Sequence, residues 1–85
     1  MKILHVIRTP LDGLPVELAC HQQGTHEVGL LLVQDGVYAD PPAGQVSVYT
    51  LRADVEARGL AAGPMAVDYD GAIRLMAEHD RVIVW

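Results

Sequence analysis

The sequence is short of several residue types, and each shortage excludes a class of protein. A single cysteine cannot form an internal disulfide, which favours a reducing compartment. Six Lys and Arg against eleven Asp and Glu leave a net charge of −5, which argues against direct binding to a nucleic-acid backbone. No apolar run approaches the roughly 18 residues of a membrane span, and the first residues turn polar too soon for a signal peptide. We therefore expect a cytoplasmic protein that does not bind membranes.

Phenylalanine is absent, although 51% of the residues are hydrophobic. The core must therefore be built mainly from Leu, Val, Ile and Ala. With 85 residues the chain is near the small end of what folds alone, because small domains bury proportionately less surface. We expect one domain over residues 1–85, and oligomerisation, including a homo-oligomer when the chain is alone, is the expected supplement to its small core.

The longest apolar run covers residues 28–33 and stops at the polar turn Gln34-Asp35-Gly36. It lacks the alternation of a strand with one wet face, so both of its faces are predicted to be covered, as in the centre of a parallel sheet. Ligands and partners meet such sheets at the carboxyl ends of the strands. Asp35, Gly36, Val37 and Tyr38 are therefore predicted to form a contact surface.

Strand and helix patterns alternate along the rest of the chain in the order β-α-β-turn-β-α-β-α-β. This order predicts a three-layer α/β/α fold with a small parallel sheet of about five strands. The last helix is predicted over residues 71–79, with Asp70 as its N-cap and with Ile73, Met76 and Ala77 facing inward. The exposed aromatic ring of Trp85, after the last strand, is a second candidate contact.

Cys20 is the one candidate for covalent chemistry. It falls in the last turn of a helix predicted over residues 14–23, where the helix dipole does not favour a thiolate, so a structural role is the simpler interpretation. Cys20, His21 and His26 do not match the spacing of a structural zinc site. No Gly-rich phosphate loop follows any strand, so neither a metal nor another cofactor is predicted.

Five stretches together resemble one family, the DsrH/TusB sulfur-relay proteins. They are ILHVIRTP, LLLVQDGVYA, VYTLRADVEARGL, VDYDGAIRLMAEHD and the terminal Trp. These stretches occur in this order and span nearly the whole chain, so the set is specific although each piece alone is weak. The connection over residues 38–45 is shorter than in the family, at a surface that is expected to take part in assembly.

The resemblance implies a DsrEFH-like fold and a subunit that joins DsrE/DsrF-like or TusC/TusD-like partners in a heterohexamer. Such complexes pass persulfide sulfur between cysteines, toward 2-thiolation of the tRNA wobble uridine or within dissimilatory sulfur oxidation. The main acceptor cysteine belongs to another subunit, and no catalysis is expected from this chain alone. Some DsrH members carry a cysteine late in the first helix, which makes Cys20 a candidate persulfide acceptor. The alternative is a scaffold module without sulfur chemistry of its own.

Overall fold

The structure, a computed structural model, describes residues 1–10, 14–41 and 46–85. Five strands and three α-helices are formed by these residues, together with a 3₁₀ helix over Gln34–Tyr38. The strands are β1 (Lys2–Ile7), β2 (Glu27–Leu32), β3 (Ser47–Leu51), β4 (Ala66–Val67) and β5 (Arg81–Val84). The helices are α1 (Leu14–Gln22), α2 (Arg52–Ala57) and α3 (Tyr69–Glu78). Residues 42–45 of the short predicted connection lie outside the described residues.

The strands form one parallel sheet in the order β4-β3-β2-β1-β5. β2 is the central strand, and five of its six residues are buried, as its unbroken aliphatic run predicts. The strands at the two edges, β4 and β5, are the shortest in the sheet. The predicted small α/β fold with a parallel sheet of about five strands is therefore confirmed.

Helices cover both faces of the sheet, and a separate core lies under each layer. α1 and α2 contribute Ala19 and Val55 to the first core, which also contains Ile3 and Ile7 of β1. α3 contributes Ala72 to the second core, which contains Leu4 and Val6 of the same strand. Alternate residues of β1 thus enter opposite cores, as the two-residue repeat of a strand requires.

The predicted start and inner face of the last helix are wrong. Asp68, rather than Asp70, caps α3, because its side chain accepts the Gly71 N–H at 2.7 Å from an extended backbone position. Ala72 is buried, whereas Ile73 is 65% exposed and Met76 is 38% exposed. The apolar stripe chosen from sequence is therefore mostly a flank of the helix rather than its inner face.

Candidate functional site at the carboxyl ends of the strands

The predicted turn after β2 is a 3₁₀ helix that packs directly on the end of β1. Its Gly36 N–H donates to the carbonyl oxygens of Arg8 at 3.0 Å and of Val33 at 2.8 Å. A Cβ added to Gly36 would overlap the Ile7 carbonyl oxygen and would lie 2.7 Å from the carbonyl carbon. Only glycine allows this approach of two backbone segments, so Gly36 fixes the shape of this edge of the sheet.

Asp54 of α2 and Arg58, the residue that follows α2, hold the 3₁₀ helix in place. The Asp54 carboxylate accepts the Gln34 N–H at 2.6 Å, and the Arg58 Nε donates to Asp35 at 3.0 Å. Arg58 also donates to the Asp54 carbonyl oxygen at 3.1 Å. These contacts stabilise Gln34 in a left-handed conformation, with φ of 50°, that L-residues adopt at a cost. Sequence reasoning missed Asp54 and Arg58: their four-residue spacing shows a pair, but not the segment that the pair contacts.

The four residues of the predicted contact surface differ in exposure. The side chain of Asp35 is 68% exposed and Tyr38 is 52% exposed. Gly36 and Val37 are buried within the chain itself. The expectation that all four residues would face a partner is therefore corrected: Asp35 and Tyr38 are available at the surface, while Gly36 and Val37 hold them in position.

Trp85 follows β5, at the same carboxyl ends of the strands as the 3₁₀ helix, and is partly buried. Its indole N–H donates to Nδ1 of His5 at 2.9 Å, and the two rings stack with centroids 6.0 Å apart. Because Nδ1 accepts this bond, Nε2 of His5 carries the proton and donates to the Gln22 side-chain oxygen at 2.7 Å. His5, which is fully buried, therefore has both nitrogens satisfied inside the chain.

This link between β5, β1 and α1 joins residues from opposite ends of the sequence, and no local pattern could have predicted it. The Arg8 Nε adds a bond of 2.8 Å to the Trp85 carbonyl oxygen. The polar atom of the indole is thus used internally. Only the exposed part of the ring is left for a partner.

Cys20 lies at the other end of the molecule. It is a free, partly buried cysteine in the last turn of α1 and packs against the first core. The segment after α1 leads directly into β2, so the thiol lies near the amino ends of the strands. Asp35, Tyr38 and Trp85 lie at the carboxyl ends. Topology thus separates Cys20 from Asp35 and Tyr38, whereas the Trp85 ring packs against the same first core as Cys20.

The described residues contain no group of three or more His, Cys, Asp or Glu side chains arranged to hold a metal ion. Within the described ranges, no helix has the length and apolar character needed to cross a bilayer.

These features define a small α/β protein with a five-stranded parallel sheet, and a solved structure has the same fold. The crystal structure of the ychN protein from E. coli matches with a TM-score of 0.72 over 99% of this chain and 97% of that chain, at 15% sequence identity. This likeness concerns the fold alone. A search by sequence among curated proteins finds no match.

The family is given by sequence. The model of the family described as "DsrH like protein" matches residues 16–82, which is well over half of the chain. The chain belongs to the DsrH-like family, and the resemblance noted from its motifs is confirmed. Membership of this family supports a role as a sulfur-relay subunit.

Proposed function

We propose that the chain is a subunit of a cytoplasmic sulfur-relay complex that works with DsrE/DsrF-like or TusC/TusD-like partner subunits in a heterohexamer. The observation that carries this proposal is the DsrH-like match over residues 16–82. The small size of the chain and the exposed residues at the carboxyl edge are consistent with a function that depends on other chains.

Sulfur moves through such a complex by persulfide transfer. A thiolate on the acceptor cysteine attacks the terminal sulfur of a donor persulfide, and a new S–S bond forms as the S–S bond of the donor breaks. The donor cysteine leaves as a thiolate, and the terminal sulfur keeps its hydrogen. Each step therefore conserves atoms and electrons without an added oxidant or reductant.

Cys20 is the proposed site of sulfur transfer on this chain. Its thiol is free and partly buried, so sulfur transfer requires that the donor persulfide reach the sulfur atom and that the thiol be activated to a thiolate. Thiolates are favoured beside cations or at helix N-termini, whereas Cys20 lies in the last turn of α1. A cation or backbone amide from a partner subunit is the proposed source of activation, and sulfur transfer to Cys20 is then expected in the complex rather than in the isolated chain.

The proposed contact with partner subunits uses Asp35, Tyr38 and the exposed part of Trp85. The carboxylate of Asp35 is already paired with Arg58 of this chain, so it can offer a partner only its remaining acceptor positions. Gly36 and Val37 contribute by fixing the backbone beneath this surface.

A scaffold role without sulfur chemistry is the second candidate, and one observation favours it. Cys20 packs against the first core, as a small structural residue would. Because Cys20 is not one of the residues of the proposed contact surface, the two roles can be tested by separate substitutions.

The proposed destination of the sulfur is the wobble uridine of tRNA, which is the more widespread use of such a relay. Dissimilatory sulfur oxidation is the alternative. With a net charge of −5, this chain is not proposed to hold the tRNA itself. Sulfite-reductase genes beside the gene for this chain would favour oxidation, and their absence would favour tRNA thiolation.

The experiment combines assembly and chemistry. The chain is coexpressed with tagged partner subunits, the purified complex is incubated with a persulfide donor, and each subunit is weighed by intact-mass spectrometry. We expect copurification, and a gain of one sulfur atom on this chain that Cys20→Ser abolishes without loss of assembly.

The matched control is Asp35→Arg, which should weaken assembly while leaving Cys20 in place. A serine variant that sustains full sulfur flow in the complex would favour the scaffold role. The proposed function would be refuted if the chain copurified with no such partner and if its presence had no effect on sulfur flow.

A further inference from the structure

β5 is an aliphatic strand at an open edge of the sheet. Its only neighbour in the described structure is β1. Val82 is 38% exposed and Val84 is 59% exposed, whereas Leu4 and Val6, their register partners on β1, are buried. Register partners in a parallel sheet lie on the same face. The layer of α3 therefore covers β1 on this face but leaves β5 uncovered.

The uncovered face continues onto one flank of α3. Ala72 faces the sheet, and Glu78 on one flank lines a small cavity together with residues of β3. Helical spacing places Tyr69, Ile73 and Met76 on the other flank, which faces β5. These three side chains are 63%, 65% and 38% exposed. Together with Val82 and Val84 they form the apolar surface that we call the β5 surface.

The chemistry of an open edge indicates what covers the β5 surface. The outer side of an edge strand presents backbone N–H and C=O groups that another strand can pair with in series, and unprotected apolar edges are pairing sites. The opposite edge of the sheet is protected, because β4 has only two residues and Pro64 lies just before it. β5 has four residues, three of them β-branched aliphatics, and contains no proline. The expected occupant is therefore a strand.

We infer that this strand is β5 of a second copy of the chain, paired antiparallel about a two-fold axis perpendicular to the sheet. Such an axis keeps the same face of both copies on one side, so the flanks of the two α3 helices face each other above the joint. With Ile83 on the axis, Val82 lies opposite the partner's Val84. Arg81 lies opposite the partner's Trp85, so no like charges are paired, and a cation can meet an aromatic ring.

A stable interface needs more surface than β5 alone can offer. Each partner in a standard interface buries roughly 800 Å². The chain exposes 5107 Å² in total, so about one sixth of its surface is required. A four-residue strand alone is too small for this, and the flank of α3 supplies the additional apolar area. The inference is independent of sulfur chemistry and extends the proposed function.

The test measures the molar mass of the full chain by light scattering and by sedimentation over a range of concentrations. We expect the mass of two chains. Val84→Lys and Ile73→Glu each place a charge in the joint and should weaken the dimer by at least about tenfold, since buried unpaired charges are costly. The matched control is Met65→Lys, at a residue 45% exposed near the opposite edge, which should leave the dimer intact.

A second measurement tests the axis itself. In a Cys20→Ser background, Ile83→Cys should form an intermolecular disulfide under mild oxidation, because residues opposite each other on antiparallel strands lie within disulfide range. Circular dichroism and urea midpoints identify any variant that does not fold. If Val84→Lys does not fold, the molar mass of Ile73→Glu, on α3, tests the dimer instead.

Three outcomes would overturn the inference. The chain could be monomeric at every concentration, or Val84→Lys and Ile73→Glu could leave the dimer intact. The third outcome would be a chain that is monomeric alone and whose β5 surface binds only a different subunit of the relay complex.

Discussion

Gly36→Ala is the sharpest test of how the carboxyl edge is built. The added methyl group would overlap the carbonyl of Ile7, and both partners in this clash are backbone, so no side chain can rotate away. Overpacking of a core typically costs 1–3 kcal/mol, and a clash with backbone belongs at the upper end, so we expect a loss of about 3 kcal/mol. Small domains are stable by only about 5 kcal/mol in total, so the effect is large.

The assay is urea unfolding followed by the fluorescence of Trp85, the only tryptophan in the sequence. For a slope of about 1 kcal/mol per M, a loss of about 3 kcal/mol should lower the midpoint by roughly 3 M. Gly63→Ala is the matched control, because a Cβ at Gly63 meets nothing within 4 Å. It should be neutral or slightly stabilising through the unfolded state. Equal midpoints for the two variants would refute the close approach of the 3₁₀ helix to β1.

Three further predictions concern stability. Asp68→Ala should cost about 1 kcal/mol through loss of the α3 cap, whereas Asp70→Ala, in the first turn, should cost less than about half of that in urea unfolding. A larger loss for Asp70→Ala than for Asp68→Ala would show that Asp70 is the cap, as predicted from sequence. Asp54→Ala should cost about 1–2 kcal/mol because its carboxylate accepts a backbone N–H of the 3₁₀ helix. Asp35→Ala should cost less than about 0.5 kcal/mol because its ion pair is exposed. Similar losses for Asp54→Ala and Asp35→Ala would contradict the larger role given to Asp54. Trp85→Phe leaves the buried histidine of β1 without its donor and should cost about 1–2 kcal/mol by thermal denaturation, and an unchanged midpoint would show that this bond contributes nothing.

The order of strands and helices could be predicted because each element carries its own local pattern. The aliphatic run of β2 indicates a strand with two covered faces, and the structure places it at the centre of the sheet. The inner face of α3 could not be predicted in the same way. Its sequence has apolar residues on two adjacent sides, and only the position of the sheet decides that Ala72, rather than Ile73, is buried.

The candidate site was predictable only in part, because its most important contacts join distant segments. Asp-Gly after a strand indicates the carboxyl edge, but the burial of Gly36 depends on the end of β1. The bond between Trp85 and His5 likewise depends on β5 lying beside β1. The alternation of elements predicts the sheet without fixing the order of its strands or the contacts between their ends.

The most direct test of the sulfur-relay role is the rate at which labelled sulfur reaches the final acceptor in a reconstituted complex with and without this chain. We expect that omitting the chain reduces the rate to background and that adding it back restores the rate. A complex that forms and transfers sulfur at the same rate without the chain would contradict the role.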